Sequence, residues 1–171
     1  MFGKFFKKES PFAGLAGLGG GFPLFKSGSV SGPLTASGGN ASFSASGFTN
    51  IVFTSPGSLS ITGGADYLQY LVVAGGGGGP SNGPGGAPGG GGGGGFRTNV
   101  PGQTSGGGAS AESATGVFVS PGTIQVEVGS GGTGSANGSP SWFGPDSSNK
   151  LIESLGGGHG ARFNGPVGSG G

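Results

Sequence analysis

Catalytic chemistry in this chain would have to come from one histidine, six acids and no cysteine, spread over 171 residues. His159 lies in Gly158-His159-Gly160-Ala161-Arg162, a loop composition. A serine triad needs its base and orienting acid in fixed geometry, and no nucleophile elbow accompanies this histidine. A transition-metal centre needs several nitrogen or sulfur ligands, and one does not suffice. The expected role for His159 is a hydrogen bond in a loop or between subunits. Asp146 and Glu153 are candidates for a calcium site of carboxylates and carbonyls, although their spacing is not diagnostic. Asp66, ahead of an apolar run, reads as a turn residue. No carboxylate pair has a spacing that marks glycoside hydrolysis.

Val72-Val73-Ala74 followed by Gly75 onward satisfies a strand and then G-x-G-x-x-G. A dinucleotide site needs a helix directly after those glycines, so that its N-terminus meets the pyrophosphate, and an acid about 20 positions on. Here glycine and proline continue, and no acid occurs between Asp66 and Glu112. The Gly-Lys-Ser/Thr of a P-loop is also absent. The expectation is a non-enzymatic protein with no cofactor and no metal. Tyr67, Tyr70, Phe96, Trp142 and Phe143 would stack on sugar rings if they were exposed beside glycine loops. With so few large residues in the chain, burial in a core is the stronger expectation for all five.

The elements that would position these residues are dominated by glycine. There are 49 glycines and 12 prolines, including the runs Gly75–Gly79 and Gly89–Gly95. Glycine does not recur at every third position, so collagen is excluded. The runs sit between short β-branched and aromatic segments, which argues against plain disorder. Apolar residues make up 31% of the chain, less than a typical domain carries, and glycine loses more backbone entropy on folding than any other residue. Neighbouring subunits are therefore expected to complete the fold. Charge is sparse. Residues 1–26 carry Lys4, Lys7, Lys8 and Lys26 against Glu9, while the remainder carries Arg97, Lys150 and Arg162 against five acids. The body thus has no basic footprint for nucleic acid.

Residues 1–28 stand apart. Phe2, Phe5 and Phe6 have helical spacing, with Lys4, Lys7 and Lys8 on the other side of the same turn. Ser10-Pro11 ends that turn. Phe12, Leu15, Leu18, Phe22, Leu24 and Phe25 then follow as apolar points on a Gly-rich backbone. Pro11, Pro23 and the lack of an A-x-A site depart from a signal peptide. Three readings stay open: an anchor buried in a partner protein, a solvated tail, and a membrane-surface helix. The density of aromatics favours the anchor, because disordered tails are poor in them.

Residues 29–46, rich in Ser, Gly, Ala and Asn, read as linker or irregular edge. The β domain is expected over 47–171. Phe48 to Thr54 reads as a strand, Ser55-Pro56-Gly57-Ser58 as a turn, and Leu59 to Thr62 as its returning partner. Tyr67 to Val73 is apolar on both faces, as in a central strand. Residues 75–115 form a glycine-rich insertion with Pro80, Pro84 and Pro88 at four-residue spacing. Such runs form either mobile loops or polyproline-II-like helices, which lack internal hydrogen bonds and satisfy one another only when bundled. Val117–Val119, Ser120-Pro121-Gly122 and Thr123–Val128 repeat the form of strand, Ser-Pro-Gly and strand. In the last of these Ile124, Val126 and Val128 alternate with Gln125 and Glu127. The expected architecture is all-β: a small β-sandwich-like module with long glycine-rich loops, preceded by an extended N-terminal anchor peptide.

One order of motifs is distinctive. Ile51-Val52-Phe53-Thr54-Ser55-Pro56-Gly57-Ser58-Leu59-Ser60-Ile61 is followed by Tyr70-Leu71-Val72-Val73-Ala74 and Gly75–Gly79. Then come Gly90 through Phe96-Arg97, Val119-Ser120-Pro121-Gly122-Thr123-Ile124-Gln125-Val126-Glu127-Val128-Gly129, Asn137-Gly138-Ser139-Pro140-Ser141-Trp142-Phe143-Gly144, and Gly156-Gly157-Gly158. Over roughly residues 48–160 this order resembles the glycine-rich domain of bacteriophage tail-fibre and other virion proteins, common in phages of marine bacteria. The resemblance implies a β-rich virion module, often trimeric, with glycine loops presented outward and no catalytic residues. It also implies a location on the phage particle after assembly in the host cytoplasm. The family pattern continues with further glycine blocks where this chain stops at Gly171, which leaves a complete short protein and a short fibre both open.

The functional expectation is a tail fibre or surface appendage. Residues 1–28 would anchor it to a capsid or tail component. Gly75, Gly79, Gly89, Gly95, Phe96 and Trp142 would lie on loops facing a host surface glycan. A capsid decoration protein (a head fibre) and a membrane-surface or secreted glycine-rich adhesin are the alternatives.

Overall fold

The computed structural model describes residues 32–45, 47–80, 89–106, 109–110, 112 and 115–161. The anchor positions Phe2, Phe5, Phe6, Phe12, Leu15, Leu18, Phe22, Leu24 and Phe25 lie outside the described residues. Within them the protein is all-β, with antiparallel pairing throughout and no α-helix.

A five-stranded sheet forms the centre. Its order is β1 (Thr35–Gly38), β4 (Gly57–Thr62), β11 (Gly122–Glu127), β12 (Ser141–Gly144) and β13 (Ile152–Ser154). Four two-stranded sheets surround it. They pair β2 (Ala41–Ala45) with β3 (Phe48–Val52), β5 (Asp66–Leu68) with β10 (Val117–Val119), β6 (Leu71–Val73) with β7 (Phe96–Thr98), and β8 (Thr104–Ser105) with β9 (Ala109–Ser110). The alternation read in Thr123–Val128 takes effect here, because Ile124 is buried while Gln125 is exposed. Ile61, Ile124 and Val119 form the buried core, and Leu34, Leu59, Leu68, Val117 and Phe143 pack against it. The β5–β10 pair thus covers one face of the central sheet.

The pairing corrects three expectations. First, the stretch read as linker or irregular edge holds two regular strands, since β1 is the edge strand of the central sheet and β2 is half of a hairpin. Gly38 and Gly39, both at positive φ, make the turn between them. Second, neither Ser-Pro-Gly segment closes a hairpin. β3 pairs with β2 and β10 with β5, whereas β4 and β11 pair with each other. Each Ser-Pro-Gly is a corner at which the chain leaves a two-stranded sheet and enters the central one. The two units meet about a local twofold: Gly57 faces Val126, Leu59 faces Ile124, and Ile61 faces Gly122. This pairing gathers Leu59, Ile61 and Ile124 on one face and buries them together, which local hairpins would not do. Third, Tyr67–Val73 is not one central strand. It breaks at Gln69-Tyr70 into β5 and β6, and Tyr67, Leu71 and Val73 are each about half exposed.

Asn99 makes that break. It is fully buried, its Oδ1 accepts the Tyr70 N–H at 2.7 Å, and its Nδ2 donates to the Leu68 carbonyl at 3.4 Å. The neighbouring Thr98 hydroxyl donates to the Tyr70 carbonyl at 3.0 Å. Side chains therefore take over backbone groups that a continuous strand would have offered to another strand.

The glycine runs are hydrogen-bonded to one another. Five extended passes lie side by side, at residues 74–79, 89–95, 129–132, 136–139 and 155–161. The N–H groups of 74 and 77 donate to the carbonyls of 95 and 92, and those of 75 and 78 donate to 139 and 136. The N–H groups of 157 and 160 donate to the carbonyls of 75 and 78, and those of 89, 92 and 95 donate to 161, 158 and 155. Donors and acceptors recur every three residues. A β-strand repeats every two and has only two hydrogen-bonding edges. The first pass has four neighbours, because Gly76 also accepts from the N–H of Gly132.

Candidate interaction surface

The residues expected to face a receptor do not form one surface. Gly75 is buried within the bundle, and Trp142 is buried on the central sheet with 9% exposure. Trp142 lies between Glu127 of β11 and Glu153 of β13, with the Lys150 ammonium 5.6 Å from its ring centre. Those two positions are corrected from exposed to interior. Gly79 and Gly89 are exposed and adjacent, while Gly95 and Phe96 are half-buried. Among the aromatics, the burial expectation describes Trp142 well and Tyr70, Phe96 and Phe143 in part. It fails for Tyr67, which is 53% exposed and stacks edge-on with Phe118 at 5.3 Å. Phe118, Phe43 and Phe48, none of them among the aromatics weighed for recognition, are about as exposed. Phe43 and Phe48 share one face of the β2–β3 hairpin with Ala41, Ala45 and Val52, and with Asn50 opposite Phe43. The alternating sequence Ala-Ser-Phe-Ser-Ala was the available signal, hidden by its serine-rich surroundings.

The charged groups serve as clamps. Arg97 of β7 holds Glu112 through two hydrogen bonds, Nε to Oε1 at 2.6 Å and Nη2 to Oε2 at 2.5 Å, and its Nη1 donates to the Glu153 carbonyl at 2.9 Å. The Tyr70 hydroxyl donates to Glu112 Oε2 at 2.8 Å, and the Tyr70 ring meets Phe143 edge-on at 5.8 Å. This network fastens the glycine insertion to the edge of the central sheet. The hydrogen bonds from Arg97 hold the Glu112 carboxyl below the usual carboxylate range, against the opposing effect of burial. Burial first, and then the hydrogen bond to Glu112 and its charge, push the Tyr70 phenol up to about 12.

The lowered Glu112 pKa means that the folded protein binds fewer protons there than the unfolded chain. The clamp's contribution is complete above the ordinary carboxylate pKa and declines as pH falls through the lowered one. Glu112→Gln should reduce the acid-side loss of stability, read as a smaller change in urea midpoint between neutral and acid pH. Tyr70 acts at the other end of the scale. Its contribution is complete below pH 10 and fades toward pH 12, so a phenolate absorbance transition near pH 12 should vanish in Tyr70→Phe.

The remaining chemical candidates are also occupied. Asp146 Oδ1 accepts the backbone N–H groups of Ser148 and Asn149, and its Oδ2 accepts from Asn149 Nδ2. Glu153 pairs with Lys150 at 2.5 Å. Both carboxylates considered for calcium thus have partners within their own turns. The His159 backbone N–H donates to Asn137 Oδ1 at 2.9 Å, and its Nδ1 lies 3.0 Å from the Gly160 carbonyl. Among the described residues no group of three or more His, Cys, Asp or Glu gathers.

No protein-family model, curated protein or solved structure matches this chain.

Proposed function

We propose that this protein is a non-enzymatic surface appendage of a phage particle, in which a glycine bundle on a small β module is displayed outward. The observation that carries the reading is the three-residue hydrogen-bond repeat joining the five passes. Three residues per turn is the repeat of a polyproline-II helix, whose backbone groups all point outward. Bundling satisfies those groups against one another, so an uncharged, side-chain-poor body gains fixed shape without a large apolar core. On this reading the five-stranded sheet and its β5–β10 cover are a sandwich-like base. The bundle is a rigid stalk or tip, on which Gly79 and Gly89 are exposed.

The motif order over residues 48–160 supports a virion module, and the aromatic-rich residues 1–28 support attachment to a capsid or tail protein. Exposed Tyr67 and Phe118, together with the Phe43–Phe48 face of the β2–β3 hairpin, are surfaces for neighbouring subunits or for host glycans. They fit a homo-oligomer, with a trimer as the family-type expectation. Mass spectrometry of purified particles with absolute copy number tests this assignment. A few copies per particle are expected for a tail fibre. Hundreds would assign the chain to capsid decoration, and absence from particles would overturn the virion reading in favour of an adhesin.

A further inference from the structure

The second glycine pass, residues 89–95, is bonded on two sides and open on a third. Its residues 89, 92 and 95 donate to the fifth pass, and the carbonyls of 92 and 95 accept from the first. Gly91 and Gly94 press onto the Gly77 and Ala74 carbonyls, where a Cβ would overlap the oxygens. Gly90 and Gly93 point the other way. Among the described residues a Cβ at either meets nothing within 4 Å and no hydrogen bond engages their N–H or C=O groups, and both residues are exposed. Contacts among the described residues therefore require glycine at 91 and 94 but not at 90 and 93, where no described contact offsets its backbone entropy cost.

We infer that this open side pairs antiparallel with the same pass of a second copy of the chain. An exposed row of unpaired backbone groups is a template for another extended chain, as at a sheet edge. The occupant is specified by the pairings already present. On both bonded sides of this pass the partner is an antiparallel, glycine-rich segment that meets it every third residue. Two copies of Gly89–Gly95 related by a twofold axis reproduce that arrangement, since an antiparallel contact of one segment with itself is isologous. No side chain holds the two backbones apart and no charge lies in the run. Glycine at 90 and 93 then has a reason, because a Cβ there would block an approach as close as the one Gly91 makes to Gly77. A pass of this length spans only about 20 Å. The contact is smaller than a stable dimer needs, so it is weak in free solution and gains strength between copies held close together. The inference stands independently of the virion assignment.

Sedimentation velocity of the full chain from about 10 μM to about 1 mM tests it. The wild type should show reversible association, and hydrogen exchange at the Gly90 and Gly93 amides should slow as concentration rises. The double variant Gly90→Ala/Gly93→Ala should weaken association at least about tenfold without lowering its urea midpoint. A wild type that stays monomeric over this range would overturn the proposal, as would a double variant that associates as well as the wild type. Unfolding of the double variant would overturn it too, because the side read as open would then be filled by the chain itself.

Discussion

Replacing Gly77 by alanine is expected to destabilise the fold by about 3–5 kcal/mol and to lower the melting temperature by more than about 10 °C. A Cβ at Gly77 would overlap the Gly158 carbonyl oxygen and would lie 2.8 Å from that of Gly157. Both obstacles are backbone, so no side chain can rotate away. Relief requires the first and fifth passes to separate. Separation would break the bonds from 157 to 75 and from 160 to 78 that join them. Overpacking that a core relieves by small shifts costs about 1–3 kcal/mol, and here the obstacle is the hydrogen-bonded scaffold itself. Gly138→Ala and Gly156→Ala should behave alike, because their Cβ atoms would overlap the Gly75 and Gly138 carbonyls. Gly90→Ala is the matched control. Measured at low micromolar concentration, it should be neutral or stabilising by up to about 1 kcal/mol, through the reduced entropy of the unfolded chain. Equal losses at Gly77 and Gly90 in urea unfolding would mean that the passes are not packed as described.

Asn99→Ala should cost about 2–4 kcal/mol, the second-largest single effect expected. Asn99 is fully buried, and its side chain serves the Tyr70 N–H and the Leu68 carbonyl. Alanine would leave both without that partner in a place shielded from water, and would open a cavity of amide size. The damage should not stay local. Gly116, at φ +85°, approaches so closely that a Cβ there would lie 3.0 Å from Asn99 Nδ2. Gly116, just before β10, thus packs against the Asn99 amide that holds the break between β5 and β6. A urea midpoint within about 0.5 kcal/mol of wild type would show that the Gln69-Tyr70 bend is held by something other than this amide.

These two sites separate what was readable in the sequence from what was not. The all-β class was readable, because β-branched and aromatic runs between glycine and proline have no helical period. So was β11, whose Ile124–Gln125–Val126 alternation needs only a half-buried sheet. The paired Ser-Pro-Gly units were visible as a repeat, but their role was not. A turn signal states where the chain bends and not which strand it meets next. Phe43 gives little signal because serine and alanine surround it, and Phe48 is legible as the start of a strand but not as an exposed ring. Trp142 reads both as core and as a receptor-facing position, and its place on the sheet buries it.

The glycine runs mark the boundary most clearly. By itself the sequence determined that Gly75–Gly79 and Gly89–Gly95 could not continue as an α-helix, and it left two states for them: mobile loops, or polyproline-II-like passes that need one another as partners. Only the tertiary structure decided which glycines are indispensable. Within one run of seven, Gly91 and Gly94 touch a carbonyl while a Cβ at Gly90 or Gly93 would meet no described residue within 4 Å. Identical residues carry no local signal to tell them apart. The difference arises from a neighbouring backbone that the chain brings alongside only after folding.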